Sequence, residues 1–178
     1  ILPGSAVGVQ LVSGDMSATA IGTATYRDGD RVLAFGHPFI AAGRVQLPMT
    51  AATIHTVMAS QQVSNKVGSA TRTCGTLIAD RSVGVAGTIG PAPSMIPVRV
   101  LIRGSQGRER RFHFEIARSR SLTPGLAAGT IVSSISEALF DVGLATTRYN
   151  ITYWMNGGKR VLRRGDALVS SGRLGGVG

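Results

Sequence analysis

Most of the chain alternates between apolar and polar positions. Val7–Val12 is a short apolar run closed by Ser13-Gly14-Asp15. Met16–Tyr26 places Thr19, Ile21, Thr23 and Thr25 at every second position. Such alternation predicts half-buried strands. Arg27-Asp28-Gly29-Asp30 follows, and Asp-Gly supplies the positive φ of a tight hairpin turn. Arg31–Phe35 returns as the partner strand and delivers Gly36-His37-Pro38-Phe39 to the strand end. Gly43–Pro48 predicts a turn and strand, Ala51–Met58 a strand, and Ser60–Ser69 a polar loop. Gly75–Ile78 and Ser82–Ile89 flank the step Asp80-Arg81, and Gly90-Pro91-Ala92-Pro93 breaks the chain. Pro97–Ile102 and Arg110–Ile116 predict a second hairpin, connected through Gly104 and Gly107. Its second strand puts Phe112, Phe114 and Ile116 on one face and Arg111, His113 and Glu115 on the other, which makes His113 an outward surface residue.

The period changes after Leu122. Leu126, Ile131, Ile135 and Leu139 recur at roughly helical spacing, and Thr123-Pro124 is a good helix start, since proline fits the first turn. One helix is therefore expected near residues 123–141. Thr147–Met155, the turn Asn156-Gly157-Gly158 and Lys159–Val169 predict a last hairpin, followed by a glycine-rich tail from Ser170. The expected class is all-β, with two small packed barrels or sheets and one helix in the C-terminal third. Residues 1–118 form the β core, and residues 119–178 complete the same domain with the helix and the hairpin.

Composition agrees with many turns. There are 24 glycines in 178 residues, and each glycine inside a helix costs roughly 1 kcal/mol against alanine. Hydrophobic residues at 43% and charged residues at 16% exclude a disordered polyelectrolyte. Cys74 is the single cysteine, so no internal disulfide can form, and it reads as a small buried residue. No histidine–cysteine cluster has zinc spacing, and no cofactor is implied. No run of about 18 apolar residues offers a transmembrane segment. The opening Ile1-Leu2-Pro3-Gly4 is no signal peptide and reads as the interior of a longer protein.

The formal charge is +10 and unevenly placed. Residues 1–98 hold six Lys/Arg against four Asp/Glu, and residues 99–178 hold thirteen against five. The excess predicts an acidic partner: an anionic membrane surface, nucleic acid or an acidic protein. The arginines and lysine that would meet it are Arg108, Arg110 and Arg111 at one hairpin, and Lys159, Arg160, Arg163 and Arg164 at another. A solvated basic face is the other reading.

The segment richest in chemistry runs from Ala20 to His37. A histidine at a strand end beside glycine is placed to act as a general base, because histidine exchanges protons near neutral pH. His55, within Ala51–Met58, reads as a core or strand histidine. The run of Gly22-Thr23 strand, hairpin turn, strand and Gly36-His37 resembles the SpoIVB-type serine peptidase domain. Gly75–Gly87, Met95-Ile96-Pro97-Val98 and Phe112–Ile116 are similar to that family's later blocks, in the family's order. The resemblance covers roughly residues 1–118. It implies a trypsin-like double β-barrel, serine endopeptidase activity on a protein or peptide substrate, an exported location, and His37 as the catalytic histidine.

The chain departs from the family at the nucleophile. Nothing from Ser119 to Gly178 matches its Gly-Met-Ser-Gly-Ser-Pro motif. The nearby serines are Ser133, Ser134 and Ser136 in the expected helix and Ser170 and Ser171 in the tail. None has the glycine-flanked turn that would aim backbone N–H groups at an oxyanion. Gly4-Ser5 stands just ahead of a strand, either as a plain turn or as a nucleophile brought to His37 by a permuted arrangement. Asp80 is the expected acid that orients His37, with an ion pair to Arg81 or another arginine as its other reading. Three functions follow: a serine endopeptidase using His37, Asp80 and Ser5; a peptidase-like domain that binds a peptide or partner without cleaving it; and a basic nucleic-acid-binding domain, for which Tyr149, Tyr153 and Trp154 near the second cluster are the stacking candidates.

Overall fold

The computed structural model describes residues 1–60, 65–104, 107–138 and 145–170. The described residues form strands β1 (Ala6–Gly14), β2 (Ala18–Asp28), β3 (Arg31–Ala34), β4 (Gly43–Met58), β5 (Asn65–Arg81), β6 (Gly84–Ile89), β7 (Ile96–Arg103) and β8 (Glu109–Ile116). Helix α1 (Thr123–Ala138) follows, then strands β9 (Ala145–Met155) and β10 (Arg160–Ser170). The all-β class with one helix in the C-terminal third is what the structure has.

Eight strands share one antiparallel sheet, in the order β2-β3-β6-β5-β4-β1-β8-β7, and β2 also pairs with β1. That extra pairing, Ala6↔Thr23 through Val12↔Ala18, closes six strands into a ring. β1 supplies the seam because its two ends meet different neighbours. Val7–Val9 pair with Ala51–Met49 of β4, whereas Val12–Gly14 pair with Ile116–Phe114 of β8. The β7–β8 hairpin is thus an outward extension of the ring. β9 and β10 form a separate two-stranded sheet.

Alternation fills the ring in layers. Val7, Ala24, Val32 and Met49 make one buried cluster. Val9, Ala34, Leu47, Leu77 and Val85 make the next, onto which Phe35, Phe39 and Val45 pack. A third cluster of Val12, Phe112, Phe114 and Ile116 joins β1 to the extension. On β8 the expected faces hold residue by residue: Phe112, Phe114 and Ile116 are buried, and Arg111, His113 and Glu115 are exposed.

Three expectations change. Gly43–Pro48 and Ala51–Met58 are one strand, bent by irregularities between Arg44 and Leu47 and around Thr50. Pro48 lies opposite Thr76 of β5 and outside the residues 49–51 that pair with β1, next to the irregularity between Arg44 and Leu47. The polar stretch expected as a loop at Ser60–Ser69 is strand from Asn65 onward, with residues 61–64 outside the described residues. Its polar side chains suit an arm that extends past the ring and faces solvent, and Lys66 Nζ reaches back to donate to Thr23 Oγ1. Helix α1 meets β7 and β8, but its deepest residues are Thr130 and Ser134 rather than Ile131 and Ile135. Small hydroxyls allow the close approach. Each is satisfied by its own helix, Thr130 Oγ1 donating to Ala127 O at 2.8 Å and Ser134 Oγ to Thr130 O at 2.7 Å. The expected end of the helix, residues 139–141, and the tail from 171 lie outside the described residues.

The ring depends on its inner layer being filled. Leu77→Ala removes a fully buried side chain and is expected to cost about 2–5 kcal/mol, read as a lower urea midpoint with an unchanged slope. Val83→Ala, on an exposed turn residue, is expected to cost under about 0.5 kcal/mol.

Candidate functional site

His37 stands just past the end of β3, on a loop that runs to the start of β4. The backbone there is unusual. Phe35 has φ 76°, Gly36 72°, Ala41 55° and Gly43 73°. Non-glycine residues rarely hold positive φ, and a bulky one does so only when its surroundings fix it. Two features fix Phe35. Its N–H donates to Thr23 O at 2.9 Å, and its ring lies over Gly22, where any side-chain carbon would overlap it. The Phe35 ring meets His37 at a centroid distance of 5.7 Å and Phe39 edge-on at 6.5 Å. Phe35 and Phe39 also pack onto the Val9–Leu47–Leu77 cluster, so the loop closes one end of the ring and leaves His37 exposed above it.

Asp80 holds the rest of the loop. It sits near the end of β5, is only 1% exposed, and pairs in register with Gly43 and Val85. Its carboxylate accepts from Phe39 N at 2.7 Å, Ile40 N at 2.8 Å and Ala42 N at 3.1 Å. Burial works against the charged form, but the N–H groups of Ile40, Ala42, Phe39 and Ala41 outweigh it and hold the carboxyl below the usual aspartate range. The residue expected to orient the imidazole orients the loop backbone instead. Neither an ion pair with Arg81 nor a hydrogen bond to His37 is formed among the described residues.

The His37 ring is oriented by its neighbour. Nδ1 lies 2.8 Å from Pro38 O. A carbonyl only accepts, so this contact requires the proton on Nδ1, and in the neutral ring the lone pair is then on Nε2. That is the tautomer a general base needs. No sequence signal pointed to the Pro38 carbonyl, because a backbone group has no side-chain signature. Gly22 and Gly36 were the visible traces of the crowded turn.

Ser5 is a turn residue ahead of β1. Its Oγ accepts from Leu2 N at 2.9 Å, its N–H donates to Leu2 O, and its carbonyl accepts from Ala24 N. No hydrogen bond joins it to His37 among the described residues. Ser134 is buried in α1, while Ser171 and the Ser170 side chain lie outside the described residues. His55 is an exposed strand histidine whose Nε2 contacts Ser69 Oγ at 2.9 Å. Cys74 is half-buried on the Val7–Met49 cluster, and burial, partly opposed by nearby positive charges, pushes its thiol up, the inert side for a cysteine.

The two basic clusters differ. At β8, Arg110 meets Glu137 at 3.1 Å and lies over the Phe112 ring at 5.2 Å, and Arg111 meets Glu109 at 3.4 Å. At β9–β10, Lys159, Arg160, Arg163 and Arg164 are exposed, with no carboxylate pairing them among the described residues. Groups of three or more His, Cys, Asp or Glu able to hold a metal ion are absent among the described residues. No helix is long and apolar enough to cross a membrane, again among the described residues. Comparison with known proteins finds no family model, no curated protein and no solved structure that matches the chain.

Asp80→Asn keeps the size but offers one acceptor in place of two and turns an NH₂ toward backbone donors. It is expected to cost about 2–4 kcal/mol at neutral pH. The folded-state pKa of Asp80 lies below the unfolded one, so its contribution is complete above about 3.9, the ordinary aspartate value. It fades as pH falls through the folded value. Urea denaturation from pH 7 to acid should show the wild-type advantage over Asp80→Asn shrinking over that acid range. A constant difference would mean the carboxylate charge is not what holds the loop.

Proposed function

We propose that the chain is a serine-peptidase-type β domain in which His37 acts as the general base of peptide-bond hydrolysis. The observation that carries this reading is the 2.8 Å contact from His37 Nδ1 to the Pro38 carbonyl, which fixes the Nδ1–H tautomer of the neutral ring and turns Nε2 to solvent at a loop held by a buried carboxylate. In the proposed step, Nε2 takes the proton of a hydroxyl nucleophile as its oxygen attacks the scissile carbonyl carbon, and later returns that proton to the leaving amine. Asp80 is a positioning residue, acting through the loop backbone. Ser5 is the hydroxyl to test first, because Gly4-Ser5 stands just ahead of β1 and the family's own nucleophile motif is missing from the chain.

One observation favours a second reading, a peptidase-like domain that binds an extended peptide without cutting it. The amides of Phe39, Ile40 and Ala42, which flank His37, are already bonded to Asp80. They are therefore not free to stabilise an oxyanion. Loss of that stabilisation alone is worth about 10²–10³ in rate.

Hydrolysis of an unfolded casein substrate separates the two. Under the first reading His37→Ala lowers kcat by about 10⁴–10⁶, and Ser5→Ala does the same if Ser5 is the nucleophile. An undiminished rate in Ser5→Ala clears that residue. An undiminished rate in His37→Ala overturns the first reading, and peptide binding without turnover by the unsubstituted chain supports the second.

A further inference from the structure

The β9–β10 hairpin presents two different faces. Trp154 is opposite Val161, Thr152 opposite Arg163, Asn150 opposite Gly165, Arg148 opposite Ala167 and Thr146 opposite Val169. Cross-strand partners share a face, so Trp154, Val161, Arg163, Arg148 and Val169 stand together on one side. Tyr153 with Leu162 and Ile151 with Arg164 belong to the other. That other side is the inner one. Ile151 and Tyr153 line a cleft of 590 Å³ with Pro124, Ala127 and Ile131 of α1. The outer side faces away from the helix, and its large apolar residues are bare: Trp154 is 70% exposed and Val169 76%.

The charge on this outer side has one sign. Arg148 and Arg163 stand on it, with Lys159 at the turn, whereas Arg160, opposite Met155, and the only carboxylate in β9–β10, Asp166, opposite Tyr149, belong to the inner side. Arg163 is two residues along β10 from Val161, about 7 Å. An exposed tryptophan, two valines and arginines without a carboxylate partner among the described residues match, at that spacing, a surface whose apolar and anionic layers are stacked. A bilayer interface is such a surface. Tryptophan rings settle at the headgroup level, apolar faces sink about 5–10 Å, and cations meet lipid phosphates. A nucleic acid would be served by the arginines but not by Val161 and Val169.

We propose that the outer face of the β9–β10 hairpin docks on an anionic lipid surface, with Trp154 and Val161 at the acyl boundary and Arg148 and Arg163 on headgroup phosphates. The docking is independent of any hydrolysis at His37. Trp154 is the single tryptophan of the chain, so its fluorescence reports the contact directly. Vesicles of phosphatidylcholine and phosphatidylglycerol in equal parts are expected to shift its emission to shorter wavelength, with quenching by brominated acyl chains. Vesicles of phosphatidylcholine alone should bind about tenfold or more weakly, and Arg148→Glu with Arg163→Glu should lose about 100-fold in co-sedimentation. Trp154→Ala should lose about tenfold. Unchanged far-UV circular dichroism in each variant keeps these losses interpretable. The proposal is overturned by unshifted emission at saturating anionic lipid or by binding that survives the double charge reversal. It is equally overturned if the emission is already blue-shifted without vesicles and tracks protein concentration, which would make a second copy the occupant.

Discussion

A carboxylate removed from water has to be surrounded by donors, and Asp80 takes its donors from the loop that carries His37. Its two oxygens accept three backbone N–H groups at 2.7–3.1 Å. This one cluster ties the end of β5 to the segment between β3 and β4, and so closes the ring where its ladder has run out. Phe39 is drawn onto the Leu47–Leu77 cluster by the same fastening. The positive φ at Phe35 and Ala41 is tolerated because the loop is held at both ends, by the Thr23 carbonyl and by Asp80. Free, either residue would relax to negative φ at a gain of about 1–3 kcal/mol.

The sequence carried the strands well and the loop poorly, for a physical reason. Side-chain alternation is a sum over many residues, so β1, β2, β3, β7 and β8 were legible from period alone. Asp-Gly fixed the β2–β3 turn, where Gly29 takes φ 55° at the first central position of a two-residue connection. The arm at Asn65–Ser69 was missed because a strand exposed on both faces has no period to read. Helix α1 was found, but its buried face was misjudged: close approach to a sheet favours Thr130 and Ser134 over isoleucine, a packing condition set by the partner.

The candidate site was half legible. His37 and Asp80 are both at the same corner of the ring, as their blocks suggested, yet the bond between them runs through the backbone. Sequence reasoning assigns hydrogen bonds to side chains, because only side chains differ between positions. Here the decisive acceptors and donors are the Pro38 carbonyl and the loop amides. Ser5 follows a glycine, and its Oγ accepts from Leu2 N. A Gly-Ser pair ahead of a strand is satisfied equally well by a turn.

The uneven charge also resolves only in three dimensions. Both clusters look alike along the chain, but Arg110 and Arg111 are answered by Glu137 and Glu109, and Arg110 covers Phe112 as well. Arg110 thus belongs to the packing of α1 on β8, and Arg111 to an ion pair within β8. The cations of β9–β10 have no such role. A two-stranded sheet is marginal in water without a third strand or a packed face, and this one meets α1 only across the cleft lined by Ile151 and Tyr153. Trp154, Val161 and Arg163 on the outer side are exposed, and no carboxylate pairs Arg163 among the described residues. The proposed lipid contact rests on this exposed apolar group and its flanking cations.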